Sequence, residues 1–166
     1  MAAQLNVHSF DVCLCSLKPG RIVVVLAGKL AGKKAVVLSA HTSHSGDKRY
    51  SHVLVCGVAR TPKKITRALV AADAANGTKK VEKRCVIKPF VKVLNMNHVM
   101  PTRFTLDVHE ALKNVITDSS LNAEDKKGIA KNKAKAILTA RYKDQATGKN
   151  DKAVAGVQYF FRKLKF

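Results

Sequence analysis

The stretch that most restricts the fold runs from Leu17 to Leu38, LKPGRIVVVLAGKLAGKKAVVL. Lys18-Pro19-Gly20 is a turn signal, and the β-branched run Arg21–Ala27 behind it has the length and composition of a strand. Gly28-Lys-Leu-Ala-Gly32 interrupts that run, and Lys33–Leu38 supplies a second strand. Glycine takes positive φ at little cost, so the two glycines suit a tight bend and the unit reads as strand, glycine loop, strand. Tyr50–Val58 is a third strand, with Leu54 and Cys56 on one face and Val53 and Val55 on the other. Between them Ser39–Asp47 is a polar loop, and Thr61-Pro62 turns the chain into Lys63–Arg67. Short strands spaced ~8–12 residues apart and joined by Gly and Pro turns indicate a small barrel or sandwich.

Beyond Arg67 the pattern changes. Ala68–Asn76 is Ala-rich and predicts a short helical insert closed by Asn76-Gly77. Lys79–Leu94 alternates basic and apolar residues, as expected of a β or extended segment, and Asn95–Pro101 reads as an ordered loop. Asp107-x-x-Glu110 has capping-box spacing ahead of Leu112, Val115 and Ile116, so a short helix is expected there. A longer helix is expected from Ala123 to Tyr142, started by Asn122-x-x-Asp125, with Ala130, Ala134, Ile137 and Leu138 on one face. Gly128 weakens its early part by ~1 kcal/mol. Four aromatics, Tyr159, Phe160, Phe161 and Phe166, stand in the last eight residues, and Val157, Phe160, Phe161 and Leu164 share helical spacing. Such a tail has no use for solvent and is expected to dock. The organisation is therefore an extension (1–16), a barrel core (17–67), an insert with a basic β or extended segment (68–106) and a helical C-terminal region (107–166).

Charge bounds the function. The chain has 166 residues, enough to bury a real core, and carries 31 Lys and Arg against 11 Asp and Glu, a formal net charge of +20. Such a surface attracts polyanions and is penalised by self-repulsion. All 31 basic residues lie after Ser16, which leaves Met1–Ser16 as a nearly uncharged extension with a different neighbour. They are spread over most of the chain: Lys18, Arg21, Lys29, Lys33, Lys34, Lys48, Arg49, Arg60, Lys63, Lys64, Arg67, Lys79, Lys80, Lys83, Arg84, Lys88, Lys92, the long helix and Arg162–Lys165. That distribution predicts contact with several backbone segments of nucleic acid rather than with one groove, at a strong cost in salt sensitivity. The chain has no RNP-type stacking motif, Gly-x-x-Gly clamp or helix-turn-helix, so phosphate and shape recognition fit better than base reading.

Other classes are weakly supported. No apolar run approaches the ~18–20 residues of a membrane span, and the first seventeen residues lack the basic residues of a signal or transit peptide. Cys13, Cys15, Cys56 and Cys85 are scattered, as reduced thiols in a cytosolic or nuclear protein would be. His41, His44 and His52 with Cys56 and Cys85 have no metal-ligand spacing, and a Cys/His nucleophilic pair is no better supported. A phosphate-cradling P-loop needs four residues between its glycines and Ser or Thr after its Lys; here three intervene and Lys34 follows Lys33. Asp107 and Glu110 are better read as helix-start acids than as an acid/base pair. No enzyme activity, metal or cofactor is expected.

Leu17–Leu38 resembles a KOW element, the strand–loop–strand unit of SH3-like barrels in ribosomal proteins and transcription elongation factors. Tyr50–Val58, Lys88–Val108 with its Asn97-His98-Val-Met-Pro-Thr-Arg103, Gly148-Lys-Asn150 and the closing Phe160–Phe166 follow in this order. Together they resemble the eukaryotic large-subunit ribosomal protein twenty-seven family over roughly Leu17–Phe166. The resemblance implies a mainly β fold with α, an SH3-like small β-barrel followed by a basic extended segment and C-terminal helices. It implies a structural part in the cytosolic large subunit, assembled in the nucleolus. Its partners would be large-subunit ribosomal RNA and neighbouring ribosomal proteins, with no membrane or small-molecule substrate. Carried over by position, Lys29, Lys33, Lys34, the Lys79–Lys92 stretch, Asn97, His98 and Arg103 would face RNA. The chain departs from the family pattern in its longer start, its uncharged Ala68–Thr78 and the residues Asp151–Gln158. The rival reading is a KOW-type RNA-binding or elongation accessory module outside the ribosome.

Overall fold

A computed structural model describes residues 16–41, 50–77, 79–117, 121, 123–144 and 151–164. The expected extension up to residue 15 with Cys13 and Cys15, His44, Lys48, Arg49, Asn122, Gly148-Lys-Asn150, and Lys165 and Phe166 lie outside the described residues. The strands are β1 (Arg21–Val25), β2 (Lys34–His41), β3 (His52–Arg60), β4 (Lys88–Asn95) and β5 (Val99–Thr105). The helices are α1 (Arg67–Asn76), α2 (Lys80–Cys85), α3 (His109–Val115), α4 (Glu124–Lys143) and α5 (Asp151–Phe161). Among the described residues helix exceeds strand, 44% to 29%, so the fold is mixed α/β.

All five strands form one antiparallel sheet in the order β4-β3-β2-β1-β5. β4 and β5 are thus at opposite edges, yet only the 3₁₀ turn Met96–His98 joins them. A flat sheet would hold its edge strands roughly 19 Å apart at ~4.8 Å per strand, whereas a three-residue 3₁₀ turn rises only ~6 Å. The sheet must therefore curl into an arch. Leu26 N–H donates to the His98 carbonyl (2.9 Å) and Met96 N–H to that of Ser51 (3.2 Å), which tie the turn to both flanks. The arch has the course of an SH3-like barrel but is not closed.

Both faces of the sheet are buried, which is why β1–β3 read as near-continuous apolar runs. Val23, Val25, Ala35, Val37, Val53 and Val55 pack with Leu17, Phe90, Leu94, Met96 and Val99 inside the arch. Ile22, Val36, Leu38, Leu54 and Cys56 face the other way and pack against Leu112, Ala134, Leu138, Val157 and Phe160 of α3, α4 and α5. The alternation expected across Val53–Cys56 is the one observed.

Four local expectations change. β2 runs on through Ser39–His41, expected in the polar loop, because these residues pair with Leu54, Val53 and His52 of β3. The first part of Lys79–Leu94 is helical, because the Asp73 carboxylate on α1 accepts from the backbone N–H groups of Lys80 (3.1 Å) and Val81 (2.7 Å) and caps α2 from outside. Most of Asn95–Pro101 is ordered as the 3₁₀ turn and the start of β5, which tolerates Pro101 because it is an edge strand. Asp107 does not cap α3; it takes a bidentate pair from Arg141 on α4 (2.9 and 3.1 Å), and Val108 occupies the cap position. α4 begins at Glu124 behind Ala123, with no side-chain cap, and buries Ala130, Ala134 and Leu138 on one face as its spacing predicts.

Candidate nucleic-acid interface

The glycine loop sets the geometry of the hairpin tip. Gly28 and Gly32 hold φ of 80° and 73°, a region other residues rarely enter. Gly32 N–H donates to Val25 (2.7 Å) and Val25 N–H to Lys33 (2.9 Å), closing the bend. Lys29 stands exposed on the tip and Lys33 is half-buried. Lys34 departs from the expectation that it faces phosphate. Its side chain turns inward, 6% exposed, and its ammonium donates to the carbonyls of Tyr159 (2.5 Å) and Arg162 (2.6 Å). It also lies 3.8 Å from the centre of the Tyr159 ring. These carbonyls belong to the end of α5, so a cation from β2 serves as that helix's C-terminal cap. Burial, helped by the nearby Arg162 guanidinium, lowers the Lys34 pKa to about 8.

This contact places the C-terminal segment against the hairpin. Tyr159 stacks on Phe104 of β5 (4.4 Å between ring centres), and Phe160 and Phe161 are buried. Gly156 lies so close to Thr105 that a Cβ would stand 2.2 Å from its carbonyl oxygen. Of the expected docking tail, Tyr159, Phe160 and Phe161 dock, and Phe166 lies outside the described residues. Between the hairpin, the end of β3 with its following turn, and the segment after α5 lies a cleft of about 570 Å³. Lys33, Arg60, Lys63, Lys64, Arg162 and Lys163 line it. Three of its cationic segments are far apart in sequence, and their charges repel in the absence of a polyanion.

The remaining expected residues surround this cleft or lie elsewhere on the surface. Arg84 donates to the Lys64 carbonyl (3.1 Å) and accepts from Lys63 N–H at its own carbonyl (2.9 Å), so the end of α2 is fastened to the turn after β3. Lys18, Arg67, Lys79, Lys80, Lys83, Lys88 and Lys92 are exposed. Arg21 is half-buried, and its Nε has no partner among the described residues. Asn97 and His98 are exposed on the 3₁₀ turn, joined to the hairpin through the bond from Leu26; Arg103 is exposed, 5.1 Å from the Phe104 ring centre. Arg162 and Lys163 were visible only as a basic pair beside Phe160-Phe161; the signal that marks them is a cation next to a docking aromatic.

Burial pushes Cys56 up to about 12, so it behaves as a small apolar residue.

A family model, described as the Ribosomal L27e protein family, matches residues 22–166. The chain belongs to this family. Curated relatives cover nearly its whole length. A Solanum tuberosum protein named large ribosomal subunit protein eL27 is 42% identical over 152 residues, 90% of this chain and 97% of its own. The Saccharomyces cerevisiae protein eL27B is 40% identical and the Tetrahymena thermophila eL27 34% identical, each over 150 residues with the same coverage. The match begins inside β1 and runs through the arch, the insert and the docked tail.

Proposed function

We propose that this chain is a structural, non-catalytic constituent of the cytosolic large ribosomal subunit that holds ribosomal RNA through phosphate and shape contacts. Family membership and the relatives' names supply the assembly. The observation that supports RNA as the direct ligand is the cleft, lined by seven cationic residues from three chain segments, six of them besides the inward-turned Lys34. Lys33, Arg60, Lys63, Lys64, Arg162 and Lys163 form its centre. Lys18, Arg21, Lys29, Arg67, Lys79, Lys80, Lys83, Arg84, Lys88, Lys92, Asn97, His98 and Arg103 extend the contact across the surface, while Lys34 supports the site from beneath. Neighbouring ribosomal proteins occupy part of the remaining surface.

Binding of the purified chain to large-subunit ribosomal RNA, measured over a salt series, tests this. Replacing Lys63, Lys64 and Arg162 with Gln should flatten the log–log salt slope by about 2–3, since each neutralised phosphate contributes ~0.7–0.9. An unchanged slope would remove the cleft from the interface. In a sucrose gradient the protein should sediment with large subunits; recovery in the light fractions alone would sink the ribosomal assignment.

A further inference from the structure

The cationic rim of the cleft encloses walls of a different kind. Ala59, Pro62 and Leu164 line the same space of about 570 Å³, over the buried Val58 and Phe160. A phosphate ribbon crossing a row of lysines needs neither this depth nor apolar walls. Concave spaces of roughly 300–1,000 Å³ that combine apolar walls with a few polar groups receive whole organic rings. The ring of a nucleobase is desolvated favourably against carbon, while its own phosphates remain in water and on cations.

We infer that the cleft receives one unpaired nucleotide of the bound RNA, its base against Pro62 and Leu164 and its flanking phosphates on Lys33, Lys63 and Arg162. The inference rests on RNA binding as proposed above. The Lys34 ammonium near this space is already committed to two carbonyls, and the walls offer mostly carbon. The cleft therefore selects for the unpaired state rather than for the identity of the base. Extruding a paired base costs a few kcal/mol, so a bulged or looped nucleotide is the one that enters.

Three RNA duplexes of one sequence test this with the full chain: one fully paired, one with a single unpaired 2-aminopurine nucleotide, and one with an abasic residue in its place. The unpaired base should tighten binding about tenfold, which corresponds to removing roughly 55 Å² of apolar surface from water. Its emission should change on binding and become shielded from acrylamide, and the abasic RNA should lose the gain. Equal affinity for all three, with the probe still quenchable, would overturn the inference and leave RNA binding standing. Failure to bind any of them would overturn both readings. Displacement of the bulged RNA by adenosine monophosphate at matching concentration would assign the cleft to a free nucleotide and also overturn it.

Discussion

α1 and α5 are ten and eleven residues long, and small or apolar residues dominate both. α1 buries none of its side chains, while α5 buries Val157, Phe160 and Phe161. Composition and placement both separate them: α5 carries three aromatic residues and α1 none. α5 sets its large residues at i, i+3 and i+4, so they fall on one stripe and meet α4, β5 and the sheet. α1 distributes alanines around its circumference, with Val70 49% exposed, and fastens to the fold through the Asp73 cap on α2. A helix is integrated where its bulk is concentrated on one stripe, and one built mainly of small alanines with no such stripe stays on the surface.

The comparison breaks most easily at Phe160. Truncation to Ala should cost about 3–5 kcal/mol, as for other fully buried aromatics, and should lower the urea midpoint accordingly. A loss under about 1 kcal/mol would mean that α5 is held by something other than its stripe. Lys34→Met should come next, at about 1–3 kcal/mol, because two carbonyls at the end of α5 lose their donor. This effect carries a pH signature. Lys34 has its pKa lowered from 10.5 to about 8 in the fold. Below about pH 8 it is charged in both folded and unfolded chains, and its desolvation weighs on the fold. Between about pH 8 and 10.5 the unfolded chain keeps the proton that the folded one releases, so the wild type should gain stability on Lys34→Met as pH rises. Paired denaturation curves across that window check the sign. The smallest effect belongs to α1: Val70→Ala should shift stability by no more than about 0.5 kcal/mol. A larger loss would show that α1 is packed after all.

Local pattern makes much of this fold readable from the sequence alone. The glycine loop, the faces of β3, the buried stripe of α4 and the docking of the tail all follow from residues within a turn or two of each other. Elements whose cause lies at a distance were not legible. α2 owes its start to Asp73, seven and eight residues earlier, and β5 contains Pro101 and lacks alternation, so only its edge position explains it. Lys34 looks like any loop lysine until α5 arrives beside it. The cleft suffers the same way, since its cations are contiguous only after the arch curls and the tail docks.

The separation between Lys34 and its acceptors has a consequence in time. The ammonium lies 125 and 128 residues ahead of the Tyr159 and Arg162 carbonyls. A chain made from its N-terminus at ~5–20 residues per second holds that lysine without its partners for roughly 6–25 s. During this interval the arch can form, but the wall contributed by Phe160–Leu164 does not exist. The cleft is therefore completed only after the chain is synthesised past residue 164, and an interrupted nascent chain carries the charge without the shape.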